Sequence, residues 1–434
     1  MSERLTAVLR GYRLVSMAAA PVVPLFLARR LKQGKEHRLR LAERHGEAAS
    51  ERPQGPLVWL HGASVGELAS VLPLIQRIAA RGVPMLVTTG TVTSGEIAEQ
   101  RLPAGVIHQF LPIDVPSFVR RFLTHWQPDL ALFVESDLWP NLVIETSLRR
   151  VPMILVNGRV SERSFRRWRY LPRTIGNLLG RFDLCLARTP ADAGRFISLG
   201  APRVVTSGDL KLDVPAPPAD PAELERLTEA FRDRPVIAAA STHAGEEEAM
   251  IAAHARLKQT FPGLLTLIAP RHPERGASVV ELAKAAGLSV AQRSRGEQPS
   301  QETDIYVADT MGELGLIYRL APVVFIGGSL IQHGGQNPIE PAKLGAAVLH
   351  GPHVWNFAEL YGALDEAQGA ELVADAGRLA TAIGGWLSNP TARTRVAKAG
   401  KATVEGLAGA LSRTLDSLEP YLLELLMRHG AHGA

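Results

Sequence analysis

Residues 57–81 read LVWLHGASVGELASVLPLIQRIAAR, and this stretch sets the fold. Leu57-Val58-Trp59-Leu60 is a short apolar run with the character of a buried strand. From Glu67 to Arg81 the apolar positions Leu68, Val71, Leu72, Ile75, Ile78 and Ala79 recur at i, i+3, i+4 and i+7, which predicts a helix with one buried face. A buried strand that runs through a small-residue loop into an amphipathic helix is the repeating unit of a parallel sheet covered by helices on both faces.

The same unit recurs outward from that point. Strands are predicted at 84–88, 106–110, 129–134, 153–156, 183–187 and 203–206, with helical segments between them. The stretch Asp213-Val214-Pro215-Ala216-Pro217-Pro218-Ala219-Asp220-Pro221 is too proline-rich for either element and reads as a stiff linker. Beyond it the alternation restarts, with strands at 235–240, 264–269, 288–292, 304–308, 322–326 and 346–349, and residues 375 to about 427 read as wholly helical. The expected organisation is an N-terminal segment 1–34, a Rossmann-like domain 35–212, the linker 213–221 and a second Rossmann-like domain 222–427 with terminal helices. Two such halves imply a ligand cleft, because open α/β sheets bind beyond the carboxyl ends of their strands.

The net charge of +5 is concentrated at one end. Residues 1–52 carry 11 Lys/Arg against 5 Asp/Glu, which leaves the remainder near −1 and gives no sign of a nucleic-acid-binding face. Leu14–Ala28 is uncharged and bracketed by Arg10, Arg13, Arg29 and Arg30. As a helix, 15 residues reach only about 22 Å, short of a hydrocarbon core of about 30 Å, and Pro21 and Pro24 weaken a straight span. No small-residue cleavage site follows, so the segment reads as a monotopic or barely spanning membrane anchor held to anionic lipid by its flanking arginines, ahead of a cleaved signal or a buried domain helix. The single cysteine, Cys185, lies in an apolar run and reads as core, which excludes a disulfide framework. Metal-ligand spacings are absent, so no metal is expected, and no Gly-x-Ser-x-Gly elbow supports a hydrolase; no cofactor is expected either.

Several segments carry candidate chemistry. In His61-Gly62-Ala63-Ser64-Val65-Gly66-Glu67, small residues such as Ser64 and Gly66 allow a substrate close to the backbone, and Glu67 is a candidate general base or a complement to the helix dipole. Glu135-Ser136-Asp137-Leu138-Trp139-Pro140-Asn141 follows a strand and offers carboxylates and an indole to a polar ligand, with Asp137 equally an ordinary helix cap. Arg159, Ser161, Arg163, Arg166, Arg167, Trp168, Arg169, Tyr170 and Arg173 form a basic, aromatic segment suited to phosphate or to solvent. In the second half, Ser241–Glu248 has good capping chemistry, Arg271 after Pro270 can meet an anion, and Asp309-Thr310-Met311-Gly312-Glu313 is predicted to open a helix with free amides. The strongest signal is the run from Gly327 and Gly328 to Pro341. Its glycines make a permissive loop, Asn337 as N-cap and Pro338 at N1 are predicted to start a helix, and Glu340 falls one turn in, able to accept hydrogen bonds from a ribose diol.

Together the blocks HGASVGE, ESDLWPNL, NGRVSERS, GDLKLD, STHAGEEE, APRHPER, DTMGEL and GGSLIQHGGQNPIEPA resemble the Kdo (3-deoxy-D-manno-octulosonic acid) transferases of lipid A biosynthesis, in the family's order and over nearly the whole chain from about residue 10. The resemblance implies a GT-B architecture and an inverting, metal-free glycosyltransferase. The donor would be CMP-Kdo and the acceptor a lipid A precursor (lipid IVA), at the cytoplasmic face of the inner membrane. It implies Glu67 as catalytic base, with Glu135 and Lys211 assisting the transition state. Pro270, Arg271, Met311, Gly312, Glu313, Asn337, Pro338, Ile339 and Glu340 fall on its CMP-contacting segments, with Gly328 in the same loop. The sequence departs from the family pattern at Asp209 (asparagine), Gln336 (histidine), Gln332 (proline) and Ala244 (glutamate). The rival readings are a UDP-sugar transferase or epimerase on the same frame and a non-catalytic membrane scaffold.

Overall fold

The computed structural model describes residues 4–136 and 138–430. One unit takes the chain up to Val214 together with residues from Ala408 onward, and the other is Pro215–Leu407, so the division falls inside the proline-rich stretch.

The first unit is built on β1 (Val58–His61), β2 (Met85–Thr89), β3 (Ile107–Phe110), β4 (Leu130–Val134), β5 (Met153–Gly158), β6 (Leu184–Ala187) and β7 (Val204–Thr206). They form one parallel sheet in the order β3-β2-β1-β4-β5-β6-β7. The predicted helix after β1 spans Val65–Ala79, and its residues Leu68, Val71, Leu72, Ile75 and Ile78 are buried as the periodicity requires. On one sheet face Trp59, Phe122 and Phe133 meet at ring separations of 5.1 and 5.3 Å, aromatic pairs each worth about 0.5–1.5 kcal/mol beyond their burial. Cys185 is buried in β6, where desolvation pushes its thiol up to about 12, so it stays protonated.

The second unit repeats the plan with β8 (Val236–Thr242), β9 (Leu265–Pro270), β10 (Val290–Gln292), β11 (Ile305–Val307), β12 (Val323–Ile326), β13 (Ala347–His350) and β14 (Ala370–Leu372), ordered β10-β11-β9-β8-β12-β13-β14 and also parallel. The three-residue edge strand β14 lies outside the predicted strands, because so short a run carries too little alternation to register. In both sheets the order reverses beside the first strand, between β1 and β4 and between β8 and β12. Those are the places where connecting chains diverge and leave a crevice at the strands' carboxyl ends.

Two features at the termini differ from the sequence expectation. The helical C-terminal region is three helices, Ala376–Ser388, Pro390–Gly406 and Ala410–Gly430. The last of these belongs to the first unit, not the second: Leu415, Leu418 and Leu422 join the core of the helix that follows β1, and Asp213 accepts the N–H groups of Gly409 and Leu411, each at 2.7 Å. An amphipathic pattern says that one face is buried but not which sheet it covers.

At the other end, helices Ala7–Ala19 and Val23–Lys32 are joined by a 3₁₀ turn, Ala20–Val22, with Pro21 and Pro24 at starting positions where a missing N–H costs little. The helical run continues through Arg10, Arg13, Arg29 and Arg30, so its 26 residues reach about 39 Å, and by length and composition it is long and apolar enough to cross a membrane. Yet one face is fastened to the first unit. Leu9 enters its core, Tyr12 donates to Asp114 (2.9 Å), Arg13 to Glu145 (2.6 Å) and Asn141 to Ser16 (3.0 Å), while Val23 and Leu27 pack on Val115. The opposite face exposes Leu14, Val15, Val22, Leu25 and Phe26.

Candidate active site

In the first unit the loop leaving β1 and the loop leaving β4 stand at the strand-order reversal. Ser64 caps the helix and accepts the Glu67 N–H (3.3 Å). The Glu67 carboxylate folds back on the same turn: Oε2 accepts the Ala63 N–H (2.7 Å) and Oε1 the Ser64 hydroxyl (3.0 Å). Glu67 therefore does complete its helix start, and it is half-buried, so its carboxylate is oriented rather than mobile. Gly66 is exposed, and a Cβ there would meet nothing within 4 Å, so internal packing does not require the glycine.

The turn carrying Glu67 is held from behind. Gly90, just after β2, donates to the Ala63 carbonyl (2.9 Å), and a Cβ at Gly90 would stand 2.9 Å from that oxygen. The Gly90 carbonyl accepts the buried Arg44 guanidinium (2.6 Å), which pairs with Glu36 (2.8 Å), which in turn pairs with Arg30 in the N-terminal helix (2.7 Å). A continuous chain of charged and backbone groups thus runs from the apolar N-terminal helix to the Glu67 turn. Arg44 carries no distinguishing signal in the sequence, where it is one arginine among several in a basic arm.

Glu135 leaves β4 in the left-handed region (φ 59°). Such a conformation is uncommon for a residue with a side chain and tends to mark functional turns. Asn157 at the end of β5 (φ 55°) and Ser241 at the end of β8 (φ 56°) share it. Buried Asn157 accepts the Leu210 N–H (3.0 Å) and so fixes the 3₁₀ turn Leu210–Leu212, which delivers Lys211 to Glu135 at 3.0 Å. Asp209 caps that turn and pairs with Arg188 (3.4 Å), so its charge is balanced.

The remaining residues singled out in the first unit divide. Asp137, read as either a ligand group or a helix cap, lies outside the described residues; the helix after it begins at Pro140 with Trp139 at its N-cap. Asn141 is buried on Asp114 and is a fastening of the N-terminal helix rather than a ligand group. Ser161 caps the helix Glu162–Trp168, half-buried Arg159 lies just before it, and the exposed Arg163, Arg166, Arg167, Arg169 and Arg173 follow with Tyr170. Trp168 turns inward and packs on the core, so its presence in the basic segment is structural.

In the second unit, Thr242 at the end of β8 leads through Gly245 (φ 94°) into the helix Glu246–Leu257. Arg271, exposed just beyond Pro270 and β9, is tied by its backbone N–H to the Thr242 carbonyl (2.9 Å). The His243 ring lies 4.0 Å from that of His333 and 6.0 Å from that of His272. Burial, then these neighbours and Arg271 and Arg275, hold the pKa of His243 down to about 4. Gln336 Nε2 lies 3.3 Å from His243 Nε2, so this glutamine reaches the ring.

The helix predicted to open at Met311 begins only at Leu314 and is seven residues long. Met311 and Gly312 (φ 84°) form an exposed turn before it, because Glu313 is held by Arg293 through two hydrogen bonds of 2.5 Å. That pairing keeps the Glu313 carboxyl below its usual range, and the residues line a recess of about 420 Å³ with Tyr306 and Thr310. In the glycine loop the helix is Ile339–Lys343, with Pro338 rather than Asn337 at the cap position. Asn337 stands one residue further out, accepting the Ile339 N–H (3.0 Å) and donating to Glu340 (3.3 Å). With helices this short, the free amides expected at Met311 and the helix start expected at Asn337 give way to individual groups.

Comparison with known proteins decides the family. The chain is 34% identical to the 3-deoxy-D-manno-octulosonic acid transferase of Haemophilus influenzae, over 95% of this chain and 98% of that one. It belongs to the 3-deoxy-D-manno-octulosonic acid transferase family. The transferase of Bordetella pertussis is 36% identical, over 95% of this chain and 99% of its own. The family model described as 3-Deoxy-D-manno-octulosonic-acid transferase (kdotransferase) matches residues 39–214, the span that holds Glu67, Glu135 and Lys211. The GT-B fold is shared with a putative UDP-N-acetylglucosamine 2-epimerase from Listeria monocytogenes (TM-score 0.60, 15% identity, 85% of this chain and 97% of that one). At that identity the likeness is one of fold alone. As a member of the transferase family, the chain is a glycosyltransferase.

Proposed function

We propose that this protein transfers Kdo from CMP-Kdo to a lipid A precursor (lipid IVA) with inversion at the anomeric carbon. The observation that carries the reading is the Glu67 carboxylate, oriented by Ala63 and Ser64 at the strand-order reversal of a chain similar to Kdo transferases along its length. Glu67 takes the proton from the acceptor hydroxyl as its oxygen bonds to the anomeric carbon, and the C–O bond to phosphate breaks with its electron pair going to CMP. A phosphate leaving group is already a weak base and needs electrostatic help rather than a proton. Lys211, oriented by Glu135, meets the sugar's carboxylate, and Arg271 meets the phosphate. Pro270, Met311, Gly312, Glu313, Gly328, Asn337, Pro338, Ile339 and Glu340 hold the nucleotide, while Ser64, Gly66, Arg159 and Ser161 face the acceptor. The exposed apolar face of Ala7–Lys32 rests on the cytoplasmic side of the inner membrane, with the basic corner around Arg163–Arg173 toward phosphorylated lipid.

The test is incubation with CMP-Kdo and the lipid precursor, with products read by mass, beside protection of the protein by CMP and by UDP. Added Kdo and protection by CMP alone are expected; protection by UDP alone, with no product, defeats the reading.

A further inference from the structure

The glycine loop after β12 looks like a nest for a phosphate, but the protein itself fills it. Glu246, the first residue of the helix after β8, is fully buried, and its two carboxylate oxygens accept four backbone N–H groups. Oε1 accepts those of Ser329 (2.9 Å) and Leu330 (3.0 Å), and Oε2 those of Gly328 (2.7 Å) and His243 (3.1 Å). A buried carboxylate is costly unless fully hydrogen-bonded, and charge-assisted bonds of this length compensate it. Glu246 spans the strand-order reversal, for it joins the segment leaving β8 to the segment leaving β12.

The rest of the loop is built on that attachment. Gly328 takes φ 67°, its carbonyl accepts the Gly335 N–H (2.7 Å), and the Gly327 carbonyl accepts the Gln336 N–H (3.0 Å). Those two bonds set the position of Asn337, one residue on. Glu247, equally buried, serves elsewhere: it pairs with Arg275 (2.5 Å) and accepts from Thr242 (3.2 Å).

We infer that Glu246 is a positioning residue for the donor nucleotide: it occupies the amides of residues 328–330 and so fixes the loop that presents Asn337–Glu340. The inference rests on the reading of residues 328–340 as the nucleotide site. It has a chemical corollary. Those amides are not free for the donor's phosphate, whose charge falls to side chains such as Arg271.

Glutamine cannot replace Glu246, because a carboxamide accepts at one oxygen only and its NH₂ would face two N–H donors. The test compares CMP affinity by calorimetry, KM for CMP-Kdo, and hydrogen exchange at residues 328–330 in the full-length protein, Glu246→Gln and Glu247→Gln. Glu246→Gln should weaken CMP binding about tenfold or more, raise KM for CMP-Kdo alike and speed exchange of the three amides. Glu247→Gln, also the loss of a buried charge, should lower the melting temperature yet leave CMP affinity within about threefold. Unchanged CMP affinity in Glu246→Gln, or an equal loss in Glu247→Gln, overturns the inference. If the unaltered protein binds no CMP, the nucleotide-site reading is what fails, and unchanged amide exchange in Glu246→Gln would still refute the clamp. Should Glu246→Gln not fold, Glu246→Asp, which withdraws the same charge by one methylene, carries the comparison.

Discussion

Lys211 Nζ lies 3.0 Å from Glu135 Oε1, so two groups that stand 76 positions apart in the chain form one half-buried ion pair. Each member is presented by backbone that the other does not control: Glu135 by a left-handed residue after β4, Lys211 by a short turn tied to Asn157. In the proposed mechanism the pair is oriented before substrate arrives, which is where electrostatic catalysis gains most. Lys211→Ala and Glu135→Gln should each lower kcat about a hundredfold or more with KM for CMP-Kdo changed far less. The double variant should be little worse than the more damaged single one, because the groups act as a unit. Additive losses in steady-state kinetics would mean that the two work separately.

The Glu67 turn depends on Gly90. In Gly90→Ala a Cβ would sit 2.9 Å from the Ala63 carbonyl oxygen and displace the segment that donates to Glu67. The expected cost in stability is about 1–3 kcal/mol by thermal or chemical unfolding. Transfer should fall much more than CMP affinity does, since CMP is assigned to the other unit. Normal turnover in Gly90→Ala would show that this buttress does not orient the base.

His243 makes stability depend on pH in a definite direction. Its folded pKa, near 4, lies below the ordinary histidine value of about 6.5, so between those values the unfolded chain binds more protons. Its share of stability is whole above pH 6.5 and is lost as pH falls toward 4. Melting temperatures of the protein and of His243→Gln should differ by a constant amount above pH 6.5 and then shift in favour of the variant between 6.5 and 4. A difference that stays flat through that window would place the histidine in water.

Leu25 and Phe26 project from the N-terminal helix away from the unit on which it is docked. Leu25→Ser with Phe26→Ser should cut sedimentation with anionic vesicles about tenfold or more while the melting temperature changes little, because neither side chain is buried. Loss of folding on the same change would show that this face packs inside the protein.

Much of this was legible in the chain. Alternation of strand and helix located both sheets, and Gly245, Gly312 and Gly328, all at positive φ, sit in the loops where the motifs lie. Glu67, Glu135 and the glycine loop draw attention in the sequence because each follows a strand, whereas Lys211 comes only with the family resemblance. What could not be read was anything set by tertiary contact. The last helix has a clear apolar face, yet only the fold shows that Leu418 joins the core of the first unit. Glu246 reads as part of a capped helix start, and the helix does begin there after Gly245 as N-cap, but its attachment to residues 328–330 spans 82 to 84 positions. The N-terminal arginines read as flanks of an anchor, whereas Arg13 is a fastening to Glu145. The helix starts at Leu314 and Ile339 fall later than predicted because Glu313 and Asn337 are used in side-chain bonds before the first turn.

The most direct test of the account is transfer of Kdo to the lipid precursor by Glu67→Gln, with CMP affinity and melting temperature measured on the same preparation. Removing the proton acceptor while keeping the shape should reduce kcat about a hundred- to ten-thousand-fold, with CMP binding and folding preserved. A Glu67→Gln protein that turns over at the normal rate would contradict the assignment of the base, and with it the mechanism.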